Sequence, residues 1–78
     1  MGNYLGLLID RTGVTRDVHR FEGMDEIDAV ECLRHLLASI DGFESGEVWR
    51  GRHRIAKMMS PRAARDAAAS LVRSVHMS

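Results

Sequence analysis

The sequence predicts an α+β domain of ββαββα order: a four-stranded antiparallel sheet packed on one central helix, followed by a C-terminal helix. Three observations predict it. Met24 to Ile40 carries the longest helical periodicity in the chain. Two pairs of short strand-like runs flank it, each pair folded about a glycine-containing turn. Ser60-Pro61 then opens a second helical pattern. Residues 1–59 therefore read as a hairpin–helix–hairpin domain. Residues 60–78 read as an amphipathic helix that either joins that domain or serves as a dimer arm.

The central helix is the most fully specified element. Ile27, Val30, Leu33, Leu37 and Ile40 recur at three- and four-residue steps, and Ala29 and Leu36 widen the stripe. Asp25, Glu26, Asp28 and Glu31 crowd the first turns while Arg34 and His35 come later, the order that the helix dipole favours. Asp25 is the expected N-cap, with Asp28 as its capping-box partner. Asp41-Gly42 supplies the stop.

The strands follow from alternation. Tyr4 to Ile9 is apolar on both faces, with Leu5, Leu7 and Ile9 expected to face the helix and Tyr4 and Leu8 the other side. Asp10-Arg11-Thr12-Gly13 is a turn by residue type. Val14 to Phe21 returns as a mostly polar strand suited to an edge, and Phe21 is expected to anchor the start of the helix. Beyond the loop of residues 41–46, Glu47–Arg50 and His53–Met58 form the second hairpin about Gly51-Arg52. Glycine at the first turn position predicts type II′. That register sets Val48 opposite Ile55, Trp49 opposite Arg54 and Glu47 opposite Ala56.

In the second helix, Ala64, Ala68, Leu71, Val72 and Val75 make the apolar stripe, with Ala63 and Ala67 beside it. Arg62, Asp66, Arg73 and His76 take the outer side. Alanine buries little area at about 25 cal/mol per Å², so Leu71, Val72 and Val75 are expected to carry the docking.

Composition bounds the function. A chain of 78 residues makes one domain, and at this size only roughly 60–65% of the unfolded surface is buried. One cysteine, Cys32, excludes an internal disulfide and points to a reducing compartment. No run approaches the ~20 apolar residues of a membrane span, and Tyr4–Ile9 is too short for a signal-peptide core. A soluble cytoplasmic bacterial protein is the expectation. The zero net charge hides an asymmetry. Residues 1–49 hold ten acids against four arginines, whereas residues 50–78 hold seven basic residues against Asp66 alone.

Certain segments resemble a family. Tyr4-Leu-Gly-Leu-Leu-Ile-Asp-Arg-Thr-Gly13, Phe21-Glu22 before an acidic helix start, and Glu47-Val-Trp-Arg-Gly51 are similar to short uncharacterised proteobacterial proteins with a hairpin–helix–hairpin layout. The resemblance spans residues 4–58. It implies the fold of that stretch and no catalytic motif or cofactor.

The chemistry-bearing residues also have plainer roles. Asp28, Cys32 and His35 share one helix face at steps of four and three, a possible ligand set. No paired Cys or His motif accompanies them, and His19, His53 and His76 are scattered. A half-buried cysteine among solvated neighbours is the plainer account. Acidic neighbours also raise a thiol pKa, which argues against Cys32 as a nucleophile. Asp10 and Asp17, and Glu44 and Glu47, flank turns and show no convergence as acid and base. Phosphate-loop, dinucleotide and serine-elbow motifs are missing. The sequence therefore predicts a non-enzymatic protein with no cofactor.

Two binding readings remain. Trp49-Arg50-Gly51-Arg52-His53-Arg54, with Lys57 beyond, alternates basic residues around an aromatic. Arg50, Arg52, Arg54 and Lys57 would contact nucleic-acid phosphates while Trp49 stacks on a base. Neutral overall charge and a single aromatic weigh against that reading. The favoured reading is a self-associating interaction module, a homodimer through the sheet face opposite the central helix. Tyr4, Leu8, Trp49 and Met58 are its expected interface.

Overall fold

The computed structural model describes residues 2–76, with side chains for residues 2–69. In chain order the elements are β1 (Gly2–Ile9), β2 (Thr15–Met24), α1 (Glu26–Ser39), β3 (Ser45–Arg50), β4 (His53–Met59) and α2 (Pro61–His76). The four strands form one antiparallel sheet in the order β2-β1-β3-β4, so the two hairpins meet through β1 and β3. Helix α1 covers one face. The ββαββα prediction is the observed fold.

Both turns obey their residues. Asp10 accepts the Gly13 N–H through its carbonyl at 3.1 Å, and Gly13 takes φ 86° to redirect the chain. At Gly51-Arg52, glycine alone has positive φ, 59°, the type II′ signature. Helix α1 starts as expected: Asp25 Oδ1 accepts the Asp28 N–H at 2.8 Å, satisfying one otherwise unpaired donor. It ends where Ile40 turns extended, its N–H still donating to the Leu36 carbonyl.

The core consists of Tyr4, Leu8, Phe21, Ala29, Leu33, Leu37 and Val48. This corrects the expected orientation of β1. Tyr4 and Leu8 face α1, whereas Leu5, Leu7 and Ile9 lie on the opposite face; Leu5 is 37% exposed and the other two are half-buried. The reason is Gly6, which shares the inner face with Tyr4 and Leu8. A Cβ at Gly6 would lie 2.6 Å from Phe21 Cε2, so the Phe21 ring occupies the space left by the missing side chain. Gly46 does the same on β3, where a Cβ would approach Leu33 Cδ2 to 3.0 Å and Leu37 Cδ1 to 3.1 Å. Two glycines, Gly6 directly opposite Val48 and Gly46 directly opposite Leu8 on the paired strands, let α1 settle close to the sheet. The opposite parity would press bulky Leu5 and Leu7 into that space.

Leu33, Leu37 and Val48 are buried, while Val30 and Ile55 are only half-buried. Two members of the α1 stripe fail. Ile27 is 72% exposed because its position lies well round the helix from Leu33, and Ile40 is the extended C-cap. Strand β2 runs beyond Phe21 to Met24, and its pairing with β1 shifts twice, near Gly23 and at Arg16. Strand β4 also carries an extra residue. Val48 pairs with Ala56 and Glu47 with Lys57, which leaves Ile55 as a bulge before the expected Trp49–Arg54 pair.

Ser60, 3% exposed, fixes the origin of α2. Its N–H donates to the Glu44 carbonyl at 2.7 Å, and its hydroxyl oxygen accepts the Ala63 N–H at 3.1 Å. Helix α2 begins at the next residue and rests on β4 and α1. Ala63 is half-buried, whereas Ala64, Ala67 and Ala68 are exposed. Docking by Leu71, Val72 and Val75 concerns side chains outside the described residues. The molecule is elongated, 50 × 23 × 22 Å. Its radius of gyration is 14.3 Å, against about 11.5 Å for a compact chain of this length.

Candidate functional site

The sheet face opposite α1 is not covered by that helix. Strand pairing arranges it as three cross-strand rows. Arg20, Leu5, Trp49 and Arg54 form one; Val18, Leu7, Glu47 and Lys57 the next; Thr15, Ile9, Ser45 and Met59 the third. Leu5, Leu7 and Ile9 run down the middle of this face. Val18 on one flank is 54% exposed and Met59 on the other is 48% exposed. Helix α1 lies on the far side of the sheet.

Of the four expected interface residues, only Trp49 stands on this open face. Tyr4 and Leu8 are buried beneath α1 at 5% and 0% exposure, and Met58 packs against the same core. Leu5, Leu7, Ile9, Val18 and Met59 take their place. The signal that would have identified them is the glycine pattern. Gly6 and Gly46 mark the parity of the face that must approach a helix, and the other parity is then the open one.

Glu47 is the polar centre of the open face, its side chain only 14% exposed. Trp49 Nε1 donates to Glu47 Oε1 at 2.9 Å, and Arg54 Nη1 reaches Glu47 Oε2 at 3.5 Å. The indole edge is thus pinned along strand β3 and its polar atom satisfied. The arrangement gives a flat, pre-ordered aromatic with a neutralised carboxylate beside it.

The basic hairpin does not gather on one surface. Arg54 and Lys57 flank the open face opposite Trp49 and Glu47. Arg50 has the parity of Val48 and lies on the α1 side, with Nε 3.9 Å from the Cβ position of Gly2. Arg52 occupies the turn. Arg54 is further committed to Glu47.

The remaining chemistry-bearing residues have local partners. Asp10 Oδ1 accepts the N–H groups of Thr12 at 2.9 Å and Val14 at 3.1 Å and the Thr12 hydroxyl at 2.6 Å; Arg16 Nε donates to Oδ2 at 2.6 Å. The Thr12 hydroxyl, then the Arg16 guanidinium, hold the Asp10 carboxyl well below the usual carboxylate range. The bulge at Arg16 is what lets its side chain turn back to Asp10. Asp17 bonds the Val18 N–H and His19. Cys32, half-buried, donates to Met24 Sδ at 3.8 Å and lines an apolar groove of about 350 Å³ with His19, Phe21 and His35. Among the described residues, no group of three or more His, Cys, Asp or Glu is arranged to hold a metal ion. A second depression, about 500 Å³, opens between the start of α2 and the Phe43 loop, with Arg11, Glu44, Arg62 and Asp66 mixing charges around it.

Among the described residues, no helix is long and apolar enough to cross a membrane. Comparison with protein-family models, curated proteins and solved structures gave no match for this chain.

Proposed function

We propose that the chain is a non-enzymatic assembly module whose partner is a second copy of itself, joined through the open sheet face. The supporting observation is one of area. The chain exposes 5799 Å², whereas a folded monomer of 8.7 kDa is expected to expose about 4,700 Å². The difference, about 1,000 Å², is of the size that one partner contributes to a standard stable interface, roughly 800 Å². On the open face, Leu5, Val18 and Met59 are exposed apolar side chains, with Leu7 and Ile9 half-buried between them. Trp49, already immobilised by Glu47, loses little conformational freedom on contact, which favours it as an anchor.

Sedimentation velocity across a dilution series tests this reading. A dimer that dissociates on dilution is expected, and Val18→Arg is expected to weaken it at least tenfold. Val18 is more than half exposed, so the substitution leaves the core intact. A wild-type protein that stays monomeric at high concentration refutes self-association. A monomer that shifts a DNA oligonucleotide at low salt, and is released by salt, would instead assign the surface to phosphate binding.

A further inference from the structure

We propose that the groove between β2 and α1 is a binding site for a soft monovalent metal ion, Cu(I), held by the Cys32 thiolate, the Met24 thioether and the His35 imidazole. The site is independent of the self-association proposed above, because its lining residues come from α1 and from the β2 edge beside it.

Two sulfur atoms define it. Met24 is the last residue of β2 and Cys32 lies in α1, and their Sδ and Sγ atoms are 3.8 Å apart. At an ordinary metal–thiolate distance of about 2.3 Å, an ion touching both sulfurs at that separation subtends about 110° between them. Linear coordination by two sulfurs would need about 4.6 Å. The angle is therefore that of a three- or four-coordinate ion, which leaves a place for a further donor on the groove side. His35 supplies it. Cys32 and His35 are three residues apart, so their side chains are neighbours on the surface of α1. Both line the same groove of about 350 Å³. Asp28, the third member of the ligand set that helix spacing suggests, does not line it, and Met24 takes its place.

The softness of the donors selects the ion. A thioether is a poor ligand for Mg²⁺ or Ca²⁺ and a good one for Cu(I). Among the described residues, no three His, Cys, Asp or Glu converge as a Zn²⁺ site would require. Phe21 and Leu36 supply apolar walls, which suit an ion whose single charge the thiolate neutralises. His19 stands on the β2 wall with its Nε2 3.1 Å from Asp17 Oδ2, and is engaged outside the set. Binding exchanges a proton for the ion. The Cys32 S–H bond breaks, its proton leaves to solvent, a sulfur–copper bond forms, and copper stays Cu(I) throughout. The thiol already donates to the Met24 sulfur, so the two donor atoms face each other before any ion arrives.

Competition for Cu(I) against bathocuproine disulfonate, without oxygen and with ascorbate present, tests the site in the full-length chain. One Cu(I) per chain is expected, with no comparable uptake of Zn²⁺. Met24→Leu, His35→Ala and Cys32→Ser are each expected to weaken binding by at least the roughly tenfold that loss of a supporting partner brings. X-ray absorption at the copper edge should read two sulfur neighbours and one nitrogen in the wild type, and a single sulfur in Met24→Leu. The fold should survive, as far-UV circular dichroism would verify, because Met24→Leu conserves volume and His35 is exposed. Met24→Leu or His35→Ala holding Cu(I) as tightly as the wild type overturns the proposal, because the named donors are then not the ligands. It is equally overturned by Zn²⁺ binding as tightly as Cu(I), or by a wild-type chain that yields all its copper to the competitor.

Discussion

Gly6→Ala is expected to destabilise the fold by about 1–2 kcal/mol, although it adds one methyl group to a strand that should prefer alanine. The new Cβ would lie 2.6 Å from Phe21 Cε2, 2.9 Å from Cζ and 3.3 Å from Leu33 Cδ1. Carbon atoms pack at about 3.5–4.0 Å, so the ring must retreat by roughly 1 Å. Phe21 is 6% exposed and Leu33 fully buried, so the retreat is blocked on the core side and can go only toward the groove that Phe21 lines with Cys32 and His35. Overpacking of this kind costs about 1–3 kcal/mol. Reduced freedom of the unfolded chain offsets about 0.4–1 kcal/mol of it. The net loss lowers the melting temperature by roughly 4–16 °C in a domain of this size. Thermal and urea unfolding, followed by circular dichroism at one fixed protein concentration, would measure it. Phe21→Leu in the same chain should recover part of the loss, a coupling that marks the contact itself. A Gly6→Ala protein as stable as wild type, with an unchanged urea slope, would refute the placement of Phe21 over Gly6. The parity of β1, and with it the identity of the open face, would then have to be reversed.

Other expectations are simpler. Leu33→Ala removes a fully buried side chain wedged between Gly6 and Gly46 and should cost about 3–5 kcal/mol, leaving much of the protein unfolded by far-UV circular dichroism at 25 °C. Asp25→Ala removes the α1 cap and should cost about 1 kcal/mol in urea unfolding. Asp10 has a folded-state pKa below its ordinary 3.8. Its stabilisation is therefore complete above that value and lost as the pH falls below it. Acid titration of Asp10→Asn should accordingly show a weaker loss of stability below pH 3.8 than wild type, and equal slopes would contradict this assignment. Glu47→Ala frees the Trp49 indole N–H and should red-shift the tryptophan emission, whereas an unchanged spectrum would show that the pin does not hold the ring.

Much of the architecture is legible because it is written locally. The Asp25 cap, the Gly51-Arg52 turn and the Ser60-Pro61 helix start each need only a few adjacent residues, and each is found where its chemistry places it. The parity of β1 is a different kind of fact. Tyr4 and Leu8 compete with Leu5, Leu7 and Ile9 on hydrophobicity alone, and counting apolar residues chooses the wrong side. Close approach of α1 decides it, through two glycines that read locally as weak points in strands. The Ile55 bulge is likewise hidden, because a two-residue turn implies regular pairing until Ala56 is seen to follow Val48. Consequently the open face is half-legible: the turn puts Trp49 on it, whereas Tyr4 and Leu8, expected there, lie beneath α1.

The junction of β1 with β3 has a consequence for how the chain folds. Hairpins of this size close locally in roughly microseconds, but the pairing from Leu5–Trp49 to Ile9–Ser45 joins distant parts of the chain. Its search is the slow step, and it gains little until a side chain bridges the two strands. Leu33 is that bridge, in reach of the Cβ positions of both Gly6 and Gly46. Helix docking and sheet closure are therefore one event, with no half-built sheet stable enough to wait for the other half. Backbone amides along β1 and β3 should accordingly exchange with solvent at one shared rate, set by opening of the whole domain.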